Sequence, residues 1–424
     1  MDLRIASLAL GACFLASTSA HANDIFVDLG RGPVQVVVPS SYDPAVPIPL
    51  VVAIHGYSAS SLWMENYLQL LPLAESLGFA YVRPDGTVDQ WGNRFWNATD
   101  ACCDLFDTGP DDSRYLRLLI EEIAAQLTID PRRIHLIGHS NGCFMSNRMA
   151  CDHADLIASF VGIGGATWND PARCSNSEAV PVLHIHGTVD NWIDYFGGDI
   201  DGNPYPGAVT TVETWAALNG CSLVPDNSAP NLDLDAGIDG AETIVTRYVS
   251  GCDEGSTAEL WTIPGAGHVP PPTPQFNELV IRWLFAHPKP GAGTPFCTST
   301  PNSTGVAATI VGQGSNSIAA SDLVLVAESL PTSQGGLFFY GPDEASMPLG
   351  NGRLCVGAGA TGLFRLPVQD TGANGRFERA IHYTGAQSQL AVGSTWRFQA
   401  WFRDPAAGGS GFDLTDGLSI VFRP

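Results

Sequence analysis

The chain has 424 residues, of which 45% are hydrophobic and 15% are charged, so it can form a substantial core and is not a disordered chain. This length is typical of two or three domains. Lysine and arginine total 20 against 43 aspartates and glutamates, giving a formal charge of −23. A chain this acidic repels phosphate backbones, so nucleic acid is not an expected partner.

The first 22 residues have the pattern of a cleavable signal peptide. Arg4 precedes an apolar run over 5–16 that is too short to span a bilayer, and Ala20-His21-Ala22 has the small residues of a cleavage site. No later run reaches 18 apolar residues. We therefore predict a secreted protein, extracellular or periplasmic, without a membrane span.

Strand and helix signals then alternate as far as residue 286. In chain order we predict an edge strand over 34–38, a buried strand over 50–54, a helix over 115–127, a strand over 134–137, a helix over 141–150, a strand in the second half of 156–163, a strand over 180–185 and a helix over 276–286. This alternation predicts a mostly parallel sheet with helices on both faces.

The pattern changes after Ala286. Proline and glycine dominate residues 287–295, which predicts a linker over 287–296 between a first domain at 23–286 and a second at 297–424. Strand signals recur in the second domain without a helix signal, most clearly over 306–311, 323–326, 336–340 and 396–402. Such spacing predicts an all-β, sandwich-like domain.

Nine cysteines remain after the predicted cleavage. Export favours disulfides, whereas zinc is disfavoured because the chain has no C-x2-C pair. The expected pairs are Cys151 with Cys174, Cys221 with Cys252, and Cys297 with Cys355. Cys102, Cys103 and Cys143 then supply one bond and one free thiol, and the sequence does not decide which thiol is free.

Gly138-His139-Ser140-Asn141-Gly142 matches the pattern G-x-S-x-G. The motif is short enough to occur by chance, but here a predicted buried strand enters it and a predicted helix leaves it. That strand-turn-helix context is typical of a nucleophile elbow, in which the serine lies at the tip of a tight turn. Ser140 is therefore the predicted nucleophile.

A serine hydroxyl needs a base and an orienting acid, which in this fold follow it in the order acid, then histidine. Asp190 follows the strand over 180–185, and His268 lies in a loop before the last helix of the first domain. Asp194 is the alternative acid. Three other histidines are interpreted as structural: His139, His184 and His186.

The same edge of the sheet supplies candidates for binding the substrate. The backbone N–H groups of Tyr57 and Asn141 are the predicted donors to a developing oxyanion. The loop tryptophans Trp96, Trp168 and Trp192 are predicted to form planar walls for an aromatic acyl group or a flat polyester segment.

Residues 33 to 286 resemble the secreted α/β-hydrolases grouped as polyhydroxybutyrate depolymerase-like and feruloyl esterase-like enzymes. The resemblance is carried by Pro49-Leu50-Val51-Val52-Ala53-Ile54-His55-Gly56, Phe95-Trp96-Asn97-Ala98-Thr99-Asp100-Ala101-Cys102-Cys103, Asp111-Asp112, the Ser140 motif, His186-Gly187-Thr188-Val189-Asp190 and Gly267-His268. It implies an α/β-hydrolase domain and a serine esterase with Ser140, Asp190 and His268 as its triad. Cys143 and Val269 depart from the family pattern, which bears on the substrate more than on the chemistry.

The sequence thus predicts a secreted serine-type carboxylic ester hydrolase that acts through an acyl-enzyme. Its substrate would be a feruloyl or acetyl ester of polysaccharide or a polyhydroxybutyrate-type polyester, and the reaction requires neither a metal nor an organic cofactor. Two alternatives stay open, a catalytically inactive hydrolase scaffold used for binding or adhesion and a serine peptidase. The oligomeric state and the ligand of the second domain also stay open.

Overall fold

The computed structural model of the chain describes residues 23–174, 178–319, 321–383 and 389–423. The predicted signal peptide, residues 1–22, lies outside the described residues. In the part of the chain that is described, no helix is long and apolar enough to cross a membrane.

The first section contains thirteen described strands and six α-helices. Strands β1 to β13 are Ile25–Val27, Val34–Val37, Ile48–Ile54, Ala80–Val82, Thr87–Val88, Arg94–Phe95, Ile129–His139, Ser159–Ile163, Val182–Gly187, Gly197–Ile200, Asn203–Pro206, Ile244–Tyr248 and Ala258–Ile263. Helices α1 to α6 are Ser61–Leu68, Leu71–Leu77, Asp112–Gln126, Asn141–Asp152, Ala208–Leu218 and Phe276–Ala286.

Nine of these strands form one sheet in the order β1-β2-β4-β3-β7-β8-β9-β13-β12, counted over the described residues. The six strands from β4 to β13 in this order run parallel, and β1, β2 and β12 pair antiparallel at the two ends. This confirms the predicted, mostly parallel sheet. The carboxyl ends of the parallel strands therefore meet at one edge, where the candidate site lies.

The continuous apolar runs of the central strands reflect burial on both faces. Every residue of β3 is buried. Alternate residues along it join two different clusters: Leu50 packs on the face that carries α3, α4 and α5, whereas Val51 packs on the face that carries α1, α2 and α6. Helices on both faces leave no solvent-facing row of side chains, which explains the absence of a polar alternation in these strands.

The prediction of an edge strand over 34–38 was wrong. Strand β1 pairs antiparallel outside β2, with Ile25 opposite Val36. The Asp24 carboxylate reinforces this edge by accepting hydrogen bonds from Gln35 Nε2 at 2.8 Å and from the backbone N–H of Val38 at 3.1 Å. Three apolar residues are too few to show a periodicity, so β1 gave no strand signal in the sequence.

The second section is built from antiparallel strands. Strands β14 to β25 are Thr294–Phe296, Thr309–Gln313, Val324–Glu328, Gly335–Gly341, Asp343–Leu349, Gly352–Gly357, Phe364–Arg365, Gln369–Asp370, Phe377–Ala380, Thr395–Arg403, Phe412–Leu414 and Gly417–Val421. A larger sheet follows the order β14-β25-β23-β17-β20, a smaller one is β15-β16-β22, and β18 and β19 form a hairpin. Side chains from both sheets share one apolar core, including Leu325, Phe338, Phe398 and Ile420.

The segment that joins the two sections makes polar contacts with the first section. Lys289, the only lysine of the chain, is buried, pairs with Glu178 and donates to the backbone carbonyl of Ala154. Its own carbonyl accepts from Arg132 Nε at 3.0 Å. Strand β14 falls within the predicted linker over 287–296 and pairs with β25, so the antiparallel sheets begin earlier than the composition suggested.

Candidate active site

Ser140 lies in the turn between β7 and α4 with φ 56° and ψ −122°. A side chain rarely adopts a positive φ, so surrounding contacts must hold this turn. The N–H of Ser140 donates to the carbonyl of Ile163 at 2.8 Å. A Cβ at Gly142 would overlap the carbonyl of Ile54, and one at Gly138 would overlap the carbonyl of Gly142. The two glycines of the motif therefore allow the close approach that a nucleophile elbow requires.

Asp190 and His268 form a direct pair, with Nδ1 of His268 2.7 Å from Oδ2 of Asp190. The other carboxylate oxygen accepts the backbone N–H groups of Trp192 at 2.8 Å and Ile193 at 2.9 Å. Burial by itself would raise the pKa of Asp190, but hydrogen bonds from His186, His268 and Ile193 lower that pKa below its usual range. Asp190 is therefore ionised at neutral pH.

The alternative acid, Asp194, makes its hydrogen bonds with Phe196 and Tyr205. Its carboxylate accepts the N–H of Phe196 at 2.8 Å, and its own N–H donates to the hydroxyl of Tyr205 at 2.9 Å. These bonds hold the turn that leads into the β10–β11 hairpin. The geometry thus pairs His268 with Asp190 and uses Asp194 as a turn residue.

Ser140 and His268 line one cleft of about 710 Å³. Loops that follow the carboxyl ends of parallel strands line it: Tyr57 follows β3, Ser140 follows β7, Trp192 follows β9 and His268 follows β13. The long connection between β4 and α3 adds Cys102 and Cys103. Residues more than 200 positions apart in the chain meet here because parallel strands end at the same edge of the sheet.

Of the two predicted oxyanion donors, Tyr57 lines this cleft and Asn141 directly follows Ser140. Asn141 is the first residue of α4, where backbone N–H groups have no partner within the helix. Its side chain is held by Trp96, whose N–H donates to Oδ1 at 2.7 Å and whose carbonyl accepts from Nδ2 at 2.9 Å. Among the described residues, neither the backbone N–H of Tyr57 nor that of Asn141 donates to a backbone carbonyl. Their role as oxyanion donors stays a prediction.

The three predicted tryptophans lie in three different environments. Trp192 lines the cleft with 79% of its surface exposed. Trp96 is fully buried and donates from Nε1 to the carbonyl of His55 at 3.1 Å, so it packs in the core. Trp168 is buried beside a second cavity, where the Arg173 guanidinium lies 4.7 Å from its ring centre.

The three disulfides predicted from the sequence are confirmed: Cys151–Cys174, Cys221–Cys252 and Cys297–Cys355. Cys102 and Cys103, which the sequence left open, are joined to each other, and Cys143 is the buried free thiol. The Cys102–Cys103 disulfide lines the cleft. Sequence reasoning missed this position, although two adjacent cysteines in a loop near the elbow were a visible signal.

His139 and His186, which were interpreted as structural residues, both make contacts with the Asp190–His268 pair. His186 Nε2 lies 3.2 Å from Oδ2 of Asp190 and 2.9 Å from the carbonyl of Ile193. Both neighbours only accept hydrogen bonds, so this nitrogen carries the proton. His139 Nε2 lies 3.0 Å from the backbone carbonyl of His268, and burial lowers the pKa of His139 to about 3, which keeps it neutral. Both rings hold the predicted acid and base in place.

The described residues contain no group of three or more His, Cys, Asp or Glu side chains arranged to hold a metal ion. Polar side chains that line the cleft include those of Tyr57, Asn93, His139, Ser140 and His268.

Parts of the chain are similar to known proteins. The family model described as phospholipase/carboxylesterase matches residues 104–206. The chain has the α/β-hydrolase fold. The acetyl xylan esterase from Aspergillus awamori has 18% identity and a TM-score of 0.41 over 60% of this chain and 93% of that structure.

Relatives found by sequence confirm the resemblance to feruloyl esterase-like and depolymerase-like proteins. Feruloyl esterase B of Piromyces equi is 29% identical over 55% of this α/β-hydrolase chain and 42% of its own length. Poly(3-hydroxyalkanoate) depolymerase C of Paucimonas lemoignei is 24% identical over 53% of this chain and 56% of its own length. The chain thus spans about half the length of these relatives.

Proposed function

We propose that the protein is a serine-type carboxylic ester hydrolase. The observation that carries the proposal is the 2.7 Å pair of His268 and Asp190 in the same cleft as Ser140 on its elbow. The names of the relatives, which include esterases and a polyester depolymerase, support an ester as substrate.

In the proposed reaction, Ser140 Oγ attacks the ester carbonyl while His268 Nε2 accepts the hydroxyl proton. The backbone N–H groups of Tyr57 and Asn141 stabilise the oxyanion that forms. His268 then gives the proton to the leaving alcohol, and the acyl group stays on Ser140. A water molecule, deprotonated by His268, releases the acid and restores the serine hydroxyl. Asp190 stabilises the imidazolium in both halves of the cycle.

The cleft suits an apolar acyl group. Trp63, Trp192, Ile193 and Val269 supply its apolar walls near Ser140. Such walls favour a feruloyl group or a hydroxyalkanoate segment over a charged acyl group. The proposed substrates are therefore feruloyl or acetyl esters of polysaccharide, or a polyhydroxybutyrate-type polyester.

We also propose that the enzyme acts outside the cytoplasm and has two domains, residues 23–286 for catalysis and 297–424 as an accessory unit joined by the segment 287–296. Four disulfides support an oxidising compartment. The separate apolar core of the antiparallel sheets supports the division into domains.

The test combines a covalent probe with turnover. The purified protein should react with a fluorophosphonate and hydrolyse p-nitrophenyl acetate, and Ser140→Ala should lose the label and all but about one part in a thousand of the rate. Ser222→Ala, in an exposed turn, is the matched control and should keep both. Labelling that persists in Ser140→Ala would refute the assignment of the nucleophile. A wild-type protein that is neither labelled nor active would point to an inactive scaffold.

A further inference from the structure

A second cavity, of about 720 Å³, lies directly beside the cleft. Four residues line both spaces and so form the wall between them: Cys102, Cys103, Leu105 and Ile200. The Cys102–Cys103 disulfide joins two of these four residues. A substrate bound at Ser140 can therefore extend past this wall into a second, separate surface.

The two spaces differ in chemistry. The walls beside Ser140 are largely aromatic and aliphatic, whereas the second cavity is lined mainly by side chains that donate or accept hydrogen bonds. These polar residues include Asn97, Thr99, Asp100, Arg173, Asp201 and Asn203, beside Asp104, Asp107 and Arg148. An ester with one apolar and one polar side fits this contrast, whereas a hydroxyalkanoate polyester has the same apolar character on both sides of each ester bond.

The polar groups are partly preorganised. Arg173 NH1 lies 3.0 Å from Asp100 Oδ2 while its guanidinium covers the ring of buried Trp168. The Arg173 and Asp100 side chains are 52% and 56% exposed, so each presents further hydrogen-bonding positions to the cavity. Asp201 and Asn203, on the β10–β11 hairpin, contribute acceptors and an amide from a separate loop.

We propose that this second cavity binds the sugar residues of a carbohydrate ester, with the acyl group held in the cleft at Ser140. Neighbouring hydroxyl groups act as both donors and acceptors, which a mixed set of guanidinium, carboxylate and amide groups can satisfy together. The inference rests on the proposed esterase function. It goes further by assigning the alcohol part of the substrate to residues outside the triad and its cleft.

The experiment compares esters that share an acyl group and differ in the alcohol. Feruloylated and acetylated xylo-oligosaccharides are compared with methyl ferulate and ethyl acetate. The wild type should have the higher kcat/KM on the oligosaccharide esters. Arg173→Ala and Asn203→Ala should each lower that value about tenfold, mainly through KM, as expected for losing a hydrogen bond to a bound sugar. Both variants should stay within about twofold of the wild type on the small esters.

Arg282→Ala removes an arginine on α6 whose side chain is 62% exposed, against 52% for Arg173, and serves as the matched control. Its kcat/KM should be unchanged on all four esters, and thermal unfolding of every variant checks the fold. Equal losses on small and oligosaccharide esters, or no loss on either, would overturn the sugar site while leaving the esterase intact. A loss on soluble hydroxybutyrate oligomers equal to that on the oligosaccharide esters would assign the cavity to a polyester instead. Absence of activity on every ester would refute the proposed function itself.

Discussion

At the scale of single residues, the choice between two aspartates four positions apart decides how the base is oriented. Asp190 accepts from His268 Nδ1 at 2.7 Å, whereas Asp194 accepts from the backbone of Phe196. A carboxylate at position 190 fixes the tautomer of His268 and stabilises its cation. A neutral amide at that position does neither.

We therefore expect Asp190→Asn to lower kcat on p-nitrophenyl acetate by about a thousandfold or more while the protein stays folded. Asp194→Asn is the matched control and should stay within a few-fold of the wild type. Steady-state kinetics with circular dichroism of both variants make the comparison. A severe loss in Asp194→Asn together with an active Asp190→Asn would reverse the assignment of the acid.

At the scale of elements, the elbow depends on the contact between α4 and β3. The missing side chain at Gly142 lets the helix start beside the carbonyl of Ile54, and any Cβ would have to displace backbone. Backbone atoms cannot move aside as the end of a flexible side chain can. Even a small substitution at Gly142 should therefore have a large effect on stability.

Gly142→Ala should therefore lower the free energy of unfolding by about 2 kcal/mol or more and reduce ester turnover by moving Ser140. Gly267→Ala is the control, because a Cβ there meets no atom within 4 Å. It should change stability by no more than about 0.5 kcal/mol. Urea unfolding measures both. Equal stabilities for the two variants would show that the approach of α4 to β3 is not as tight as described.

At the scale of the whole molecule, buried neutral histidines couple stability to pH. Burial, with a smaller effect from Arg133, lowers the pKa of His135 to about 3, and burial likewise lowers the pKa of His139 to about 3. In the unfolded chain a histidine titrates near 6.5. Between about pH 6.5 and 3 the unfolded state therefore binds more protons, so stability is full above this window and falls as the pH falls through it.

Within this window, each such histidine should lower the free energy of unfolding by about 1.4 kcal/mol for every unit by which the pH falls. His135→Gln should reduce the slope of unfolding free energy against pH by about that amount, measured by urea unfolding at pH 7, 6 and 5. Ser159→Ala removes the hydrogen-bond partner of His135 at 2.8 Å but keeps the titrating ring. It should lower stability with little change in slope. An unchanged slope in His135→Gln would contradict a neutral buried ring.

The two sections of the molecule should separate at the junction. A protein of residues 23–290 keeps Lys289 with Glu178 and Arg132, and it splits no disulfide. We expect it to fold and to hydrolyse p-nitrophenyl acetate at close to the full-length rate, with Ser140→Ala in the same truncated protein as the blank. Binding to insoluble xylan or polyester should fall if the antiparallel sheets tether the enzyme. A soluble truncated protein without esterase activity would mean that these sheets complete the site.

Much of the fold could be predicted from local pattern. The strand over 134–137, the glycines around Ser140 and the helix after it are neighbours in the chain, so their sequence carries the elbow directly. The parallel sheet followed from apolar runs that alternate with helices, and the three predicted disulfides followed from the grouping of cysteines along the chain. These features depend on residues close in sequence or on composition within one section.

The walls of the site were decided only by tertiary packing. Trp96 and Trp192 occupy similar loops in the sequence, yet Trp96 is fully buried and Trp192 is 79% exposed. The order of the candidate residues pointed to Asp190 and His268, but it left Asp194 open, and only the packed structure pairs His268 with Asp190. The wall that Cys102 and Cys103 form beside the cleft could not be inferred from spacing. The cleft is assembled from loops after several different strands, and the distances between those loops depend on how the sheet twists and how helices pack on it. Local sequence determines which residues reach the carboxyl edge of the sheet, and only the packed fold decides which of them face the substrate.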